Sequence, residues 1–217
     1  LYKTAQLNSY PSILAEQFLK AGGGNFVQPL LNGEYGILLG KLKLDYKTNC
    51  LGVTSLSPVP DIGELDDLAP LGYTVNNLGV PGAKSFHLLA PGYGDFAGIG
   101  VYANAYYARF ASSATSSVIG DALAQQPTFF TLWIGNNDIL GYAASGGASD
   151  SITGLQTYAY VMNTLLTNLT SGGAKGAIAN IPDMLSAPYF SYMQTKVPYN
   201  GLVLTTQEQV DALNAAY

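Results

Sequence analysis

Three stretches place small residues beside amides or a carboxylate: NNLGVPGA at 76–83, GNND at 135–138 and ANIPD at 179–183. In GNND an apolar run, TFFTLWI, stops at Gly135 and is followed at once by Asn136, Asn137 and Asp138. Gly, Asn and Asp are common turn residues, so a simple turn is one reading. The other is chemical. An Asn amide and a bare glycine N–H that converge on one point can stabilise developing negative charge, as an oxyanion hole does. Glycine serves because its backbone can approach a substrate closely.

Other reactive types are sparse. His87 is the single histidine, and Lys84, not an acid, stands three residues before it, so it reads as a packing residue of a helix or loop. Cys50 is the single cysteine, which excludes an internal disulfide and a cysteine-based zinc site; it reads as a loop thiol. Ser9, Ser12 and Ser85 are nucleophile candidates by type alone, and no Gly-x-Ser-x-Gly elbow is present. The acidic stretch PDIGELDDLAP (Asp61, Glu64, Asp66, Asp67) lacks the alternating acids and central glycine of a calcium loop, and reads as a solvated loop. No metal and no cofactor is expected. Asn168-Leu169-Thr170 is a glycosylation sequon that matters only in a eukaryotic secretory host.

The composition narrows the class. Of 217 residues 48% are hydrophobic and only 11% charged, against roughly 25% charged in an average soluble domain. Nine basic residues without a cluster, in a chain of formal charge −5, argue against a nucleic-acid partner. No apolar run approaches the roughly 20 residues a membrane helix needs. The length suits one domain over 1–217 with a long excursion at about 25–70. The low charge and abundant Gly, Asn and Tyr favour an exported protein. The opening LYKTAQLNSYPS resembles neither a signal peptide nor a methionine start.

The elements that must position the three stretches follow from periodicity. SYPSILAEQFLK predicts a helix with Ser9 as cap and a stripe of Ile13, Leu14, Gln17 and Phe18, ended by Gly22–Gly24. Residues 25–70 are Pro- and Gly-rich, without sustained period. YTVNNLG at 73–79 predicts a short strand. VYANAYYARFASS at 101–113 predicts a helix with Val101, Ala105, Tyr106 and Phe110 on one side. TFFTLWIG predicts a strand buried on both faces. LQTYAYVMNTLLTNL, with Leu155, Tyr158, Val161, Met162, Leu165, Leu166 and Leu169 at helical spacing, predicts the firmest helix. A third strand is expected at about 175–181, and Thr205 with Glu208 forms a capping box before Val210 and Leu213. Strands alternating with amphipathic helices imply an α/β domain with a parallel sheet. Ligands of such sheets bind beyond the carboxyl ends of the strands, where the three stretches would lie.

In order and spacing, NNLGVPGA, FFTLWIGNNDIL and AIANIPD resemble the second, third and fourth blocks of the SGNH, or GDSL-type, hydrolases. SYPSILAEQF is similar to the segment after that family's first block, so the resemblance spans most of the chain apart from 25–70. It implies a three-layer α/β/α, flavodoxin-like fold and ester hydrolysis of lipids, acetylated sugars or small esters. It implies that Gly82 and Asn137 are the oxyanion donors, with Asp138 holding the turn. Ile139, Pro182 and Asp183 become candidate substrate contacts, the last two by position only. Two departures stand out. The Gly-Asp-Ser block that carries the nucleophile is absent, as is the Asp-x-x-His block that carries the base. By resemblance the first strand would lie between the second and third in the sheet. Without it, and without a last strand, the sheet is incomplete and has a slot through its core. The expectation is an internal piece of a longer protein, inactive alone.

Two further readings remain. A non-catalytic binding protein of the same fold, directed at carbohydrate, would use the 16 tyrosines, which otherwise serve packing. A flavodoxin-like mononucleotide binder needs a phosphate-cradling loop, and none is visible. Oligomeric state is not readable.

Overall fold

The computed structural model describes residues 1–37, 41–61 and 63–187, with isolated positions beyond. Residues Leu1–Asn180 form one compact unit and Ile181–Tyr217 a second. The chain is mixed α/β, with two small sheets among the described residues, one antiparallel and one parallel.

The parallel pair is β3 (Phe129–Leu132) beside β4 (Lys175–Ile178), in the register Phe129↔Lys175 to Leu132↔Ile178. Between them run α5 (Asn136–Ala144) and α6 (Leu155–Ser171). This is the crossover a parallel pair requires. The strong periodicity of α6 has the expected result: Val161, Leu165 and Leu169 are buried against Leu132. Each such side chain contributes about 1.5–3 kcal/mol when taken fully from water. A second cluster joins Ala83, Tyr93, Tyr107 and Val118. Within it the Tyr107 hydroxyl donates to Asp121 at 2.8 Å, satisfying a buried carboxylate. Asp121 lies in α4 (Val118–Ala124), which the Ser117 hydroxyl caps by accepting from the Gly120 N–H.

Several expectations need correction. The strand foreseen at 73–79 does not form; among the described residues its backbone-to-backbone bonds run to Val27 alone, from the N–H groups of Asn76 and Asn77, while the Val75 carbonyl accepts from the Gln125 side chain. A strand exists only where a ladder partner lies alongside, and β3 is separated from 76–80 by a groove of about 860 Å³. β3 is shorter than TFFTLWIG and is buried only at Leu132, with Phe129 exposed, because its second edge has no ladder partner among the described residues. The helix foreseen over 101–113 shrinks to α3 (Ala105–Ala108), because the Asn104 side chain accepts from the Tyr106 and Tyr107 N–H groups and so starts the helix there. The helix foreseen over SYPSILAEQFLK forms as α2 (Tyr10–Lys20), and an unforeseen short helix, α1 (Lys3–Leu7), precedes it. Ser9 precedes α2, but its hydroxyl donates to the Gln6 carbonyl instead of capping. No residue of α2 is buried, so the stripe of Ile13, Leu14, Gln17 and Phe18 has no full cover.

The excursion at 25–70 is not uniformly irregular. Leu42–Thr48 (β1) and Thr54–Pro60 (β2) pair antiparallel along their whole length, and Cys50 is exposed in the turn between them. Nor is the acidic stretch all solvated: the Asp66 carboxylate accepts the N–H groups of Asn32 and Gly33 at 2.9 and 3.0 Å. The helix expected after Thr205, with Val210 and Leu213, lies outside the described residues apart from isolated positions.

Candidate functional site

The stretch GNND is not a free turn. Gly135 takes a left-handed backbone, φ +119°, and α5 starts on the next residue. Asn136, Asn137 and Asp138 are therefore the first helical turn, where backbone N–H groups lack intrahelical acceptors. A non-glycine residue adopts such a φ only with strain, so Gly135 is what allows a strand to become a helix within three residues. No side chain caps this end, and it keeps the partial positive charge of a helix N-terminus.

Asp138 fixes the stretch to its neighbour. Its buried carboxylate accepts the Ser85 N–H at 2.7 Å and the Ser85 hydroxyl at 2.6 Å. One residue earlier, the Asn137 side-chain amide donates to the Ala83 carbonyl at 3.0 Å. Two adjacent residues of α5 thus clamp 83–85. Gly82 sits at the near end of that clamp, exposed, at φ +78°, with its N–H lacking an acceptor among the described residues. The second Asn137 amide proton likewise has none, and the bond to Ala83 ties Asn137 to the residue that follows Gly82. The Asn136 side-chain carbonyl is buried without a partner. Asn136 also borders a hollow of about 330 Å³, with Ser9, Gln28, Asn77, Arg109 and Trp133 on its walls.

The remaining candidates lie on other elements. Ile139 follows in α5, half-buried, and lines neither the groove nor the hollow. Pro182 and Asp183 belong to the second unit, where the Asp183 carboxylate accepts the Leu185 N–H at 2.9 Å and caps a short 3₁₀ turn. Ser85 is fully buried, and its hydroxyl is committed to Asp138, so it cannot attack a substrate. His87 lies in a 3₁₀ turn, Ser85–Leu88; its Nδ1 accepts the Lys84 N–H at 3.0 Å and its ring stacks on Tyr93 at 4.5 Å. Burial, and then the Lys84 charge, hold its pKa below the usual histidine range against the opposing pull of Asp138. The packing role read from the sequence is the one its contacts describe.

Some contributors carried no sequence signal. Lys84 Nζ donates to Asp150 at 2.7 Å, joining the loop after α5 to the 82–85 segment. The Tyr158 hydroxyl donates to the Ile134 carbonyl at 3.2 Å, at the end of the strand that leads into the site. Asp138 had a signal as to place, but its partner Ser85 lies 53 positions away. Among the described residues no group of His, Cys, Asp and Glu is arranged to hold a metal ion, and no helix is long and apolar enough to cross a membrane. No protein family, no curated protein and no solved structure matches the chain.

Proposed function

We propose that this chain supplies the oxyanion-binding half of an SGNH-type serine hydrolase, which cleaves carboxylic esters by acyl transfer. The observation that carries the reading is the double clamp from α5 to 83–85, which ties Asn137, whose second amide proton has no acceptor among the described residues, to Ala83, the residue that follows Gly82. As a serine oxygen adds to the ester carbonyl, negative charge gathers on the carbonyl oxygen. Donors already in place meet that charge without reorganising at the moment of reaction. Gly135 orients the amide, and Asp138 holds the segment that carries Gly82.

In this reading the nucleophile and its histidine base come from residues outside 1–217, because Ser85 and His87 are engaged in packing. The groove beside β3 supports a complete fold in which a further strand lies between 76–80 and β3, beneath the proposed site. Serine would then attack from the end of that strand, as nucleophile activated by an adjacent base.

The test is hydrolysis of p-nitrophenyl acetate and butyrate by the protein with its flanking residues. Turnover abolished by a serine-directed phosphonate is expected. No turnover of either ester, or turnover indifferent to the phosphonate, overturns the proposal; tight sugar binding without turnover would select the carbohydrate-binding alternative.

A further inference from the structure

The β1–β2 ribbon has two chemically different faces. Side chains alternate along a strand, and the register Leu42↔Pro60, Leu44↔Pro58, Tyr46↔Leu56 puts all six of these residues on one face. The opposite face carries Lys43, Asp45, Lys47, Ser55 and Ser57, with Val59 as its one apolar member, half-buried. The apolar face is not folded onto a core: Leu44 is 67% exposed and Tyr46 73%. At the turn Leu51 is 82% exposed, extending the apolar surface past the ends of the strands. Single exposed leucines are ordinary, but a contiguous apolar face on a two-stranded ribbon marks an interaction surface.

We propose that this face docks on an anionic phospholipid surface. Three of the nine cations of an acidic chain, Lys41, Lys43 and Lys47, fall within seven positions at the ribbon, Lys41 being paired with Asp61 at 3.4 Å. Lys43 has only an exposed partner, Asp45 at 3.5 Å. Lys47 has no carboxylate within ion-pair distance among the described residues. With the apolar face sunk about 5–10 Å into the boundary between headgroups and acyl chains, these lysines stand at headgroup level. There each cation near the surface is attracted by anionic lipid. A second copy of the chain fits less well. Two seven-residue strands offer a face of about 230 Å², from about 3.3 Å per residue and about 4.8 Å between strands. Two such faces together bury about 460 Å², well short of the roughly 1,200 Å² at which specific protein interfaces begin. A lipid surface imposes no such threshold of shape-matched area.

The proposal rests on binding alone and is independent of ester hydrolysis. Its test is co-sedimentation with large unilamellar vesicles of phosphatidylcholine containing 30% phosphatidylglycerol. The protein is expected to sediment with these vesicles, less so as salt rises, and at least about tenfold more weakly with pure phosphatidylcholine. The combined variant Leu44→Ser, Tyr46→Ser, Leu51→Ser is expected to bind at least about tenfold more weakly, since it removes three apolar side chains from the inserted face. Those side chains touch no core, so circular dichroism should be unchanged. Lys43→Glu with Lys47→Glu provides a second variant, expected to lose the preference for anionic vesicles. The proposal is overturned if the protein stays in the supernatant, if either variant binds like the parent, or if pure phosphatidylcholine binds equally. A dimer in sedimentation equilibrium that the apolar variant dissociates, without vesicle binding, would assign the face to a second copy instead.

Discussion

Asp138 accepts both the backbone N–H and the hydroxyl of Ser85, at 2.7 and 2.6 Å, across 53 positions of sequence. The two residues are buried, so this pair is the joint between the strand–helix corner and the segment that carries Gly82. Asp138→Ala strands two buried donors, each worth about 1–3 kcal/mol when left unpaired, and should cost about 2–6 kcal/mol in urea unfolding. Ser85→Ala, which removes the hydroxyl and leaves the N–H bond, should cost less. A double-mutant cycle should show coupling of at least about 0.5 kcal/mol; additive costs would mean the pair is not a joint.

Asn137→Ala tests the donor itself. Among the described residues its side chain makes one bond, to the Ala83 carbonyl, worth only about 1 kcal/mol to the fold. Its loss from an oxyanion hole should lower kcat about 10²–10³-fold. Steady-state kinetics on a p-nitrophenyl ester would separate the two effects, and an unchanged kcat in a folded variant rejects Asn137 as a donor.

At Gly82 space and conformation pull apart. A Cβ there would meet nothing within 4 Å, yet the backbone sits at φ +78°. Gly82→Ala should therefore cost about 1–2 kcal/mol through the left-handed backbone alone. If the chain relaxes to avoid that cost, the N–H turns away and kcat falls while KM holds. A variant as stable as the parent would contradict the backbone conformation.

His87 makes a pH prediction with a definite sign. Its folded pKa lies below the ordinary 6.5, so the unfolded chain takes up its proton first as pH falls. The neutral imidazole's contribution to stability is complete above about pH 6.5 and is lost as pH drops through the folded pKa. Because the chain has a single histidine, its NMR imidazole resonance is unambiguous. The midpoint should lie below 6.5, and His87→Gln should flatten the acid-side loss of stability. A midpoint at or above 6.5 would mean the ring is not desolvated against Tyr93.

The parts of this fold that were legible in sequence are those with a long period or a distinctive local chemistry. The seven apolar positions of α6 repeat over four turns and admit no strand reading, and the buried Val161, Leu165 and Leu169 lie among them. GNND identified its own place because small polar residues directly after an apolar run are unusual. The failures have a common cause in pairing. TVNNL looks like a strand, but forming one depends on a neighbour that local sequence does not encode. LKLDYKT does alternate, yet its partner TSLSPVP is broken by prolines, which hid the hairpin from a reading by composition. The helical start of α5 was missed because Gly-Asn-Asn-Asp also describes a turn; only the left-handed Gly135 distinguishes the two. Ser85 could not be matched to Asp138 by spacing, since nothing in either segment points across 53 positions.

The alternation in β1 and β2 also governs which kinds of genetic change the ribbon can absorb. A point substitution within it changes one side chain and leaves the division into two faces in place. A deletion of one codon between Leu42 and Thr48 is different, because every side chain beyond it exchanges sides: leucines would join the lysines and the division into two faces would be lost at a stroke. Among natural variants of this chain, length changes in the ribbon should therefore come in steps of two residues, or be confined to the turn around Cys50.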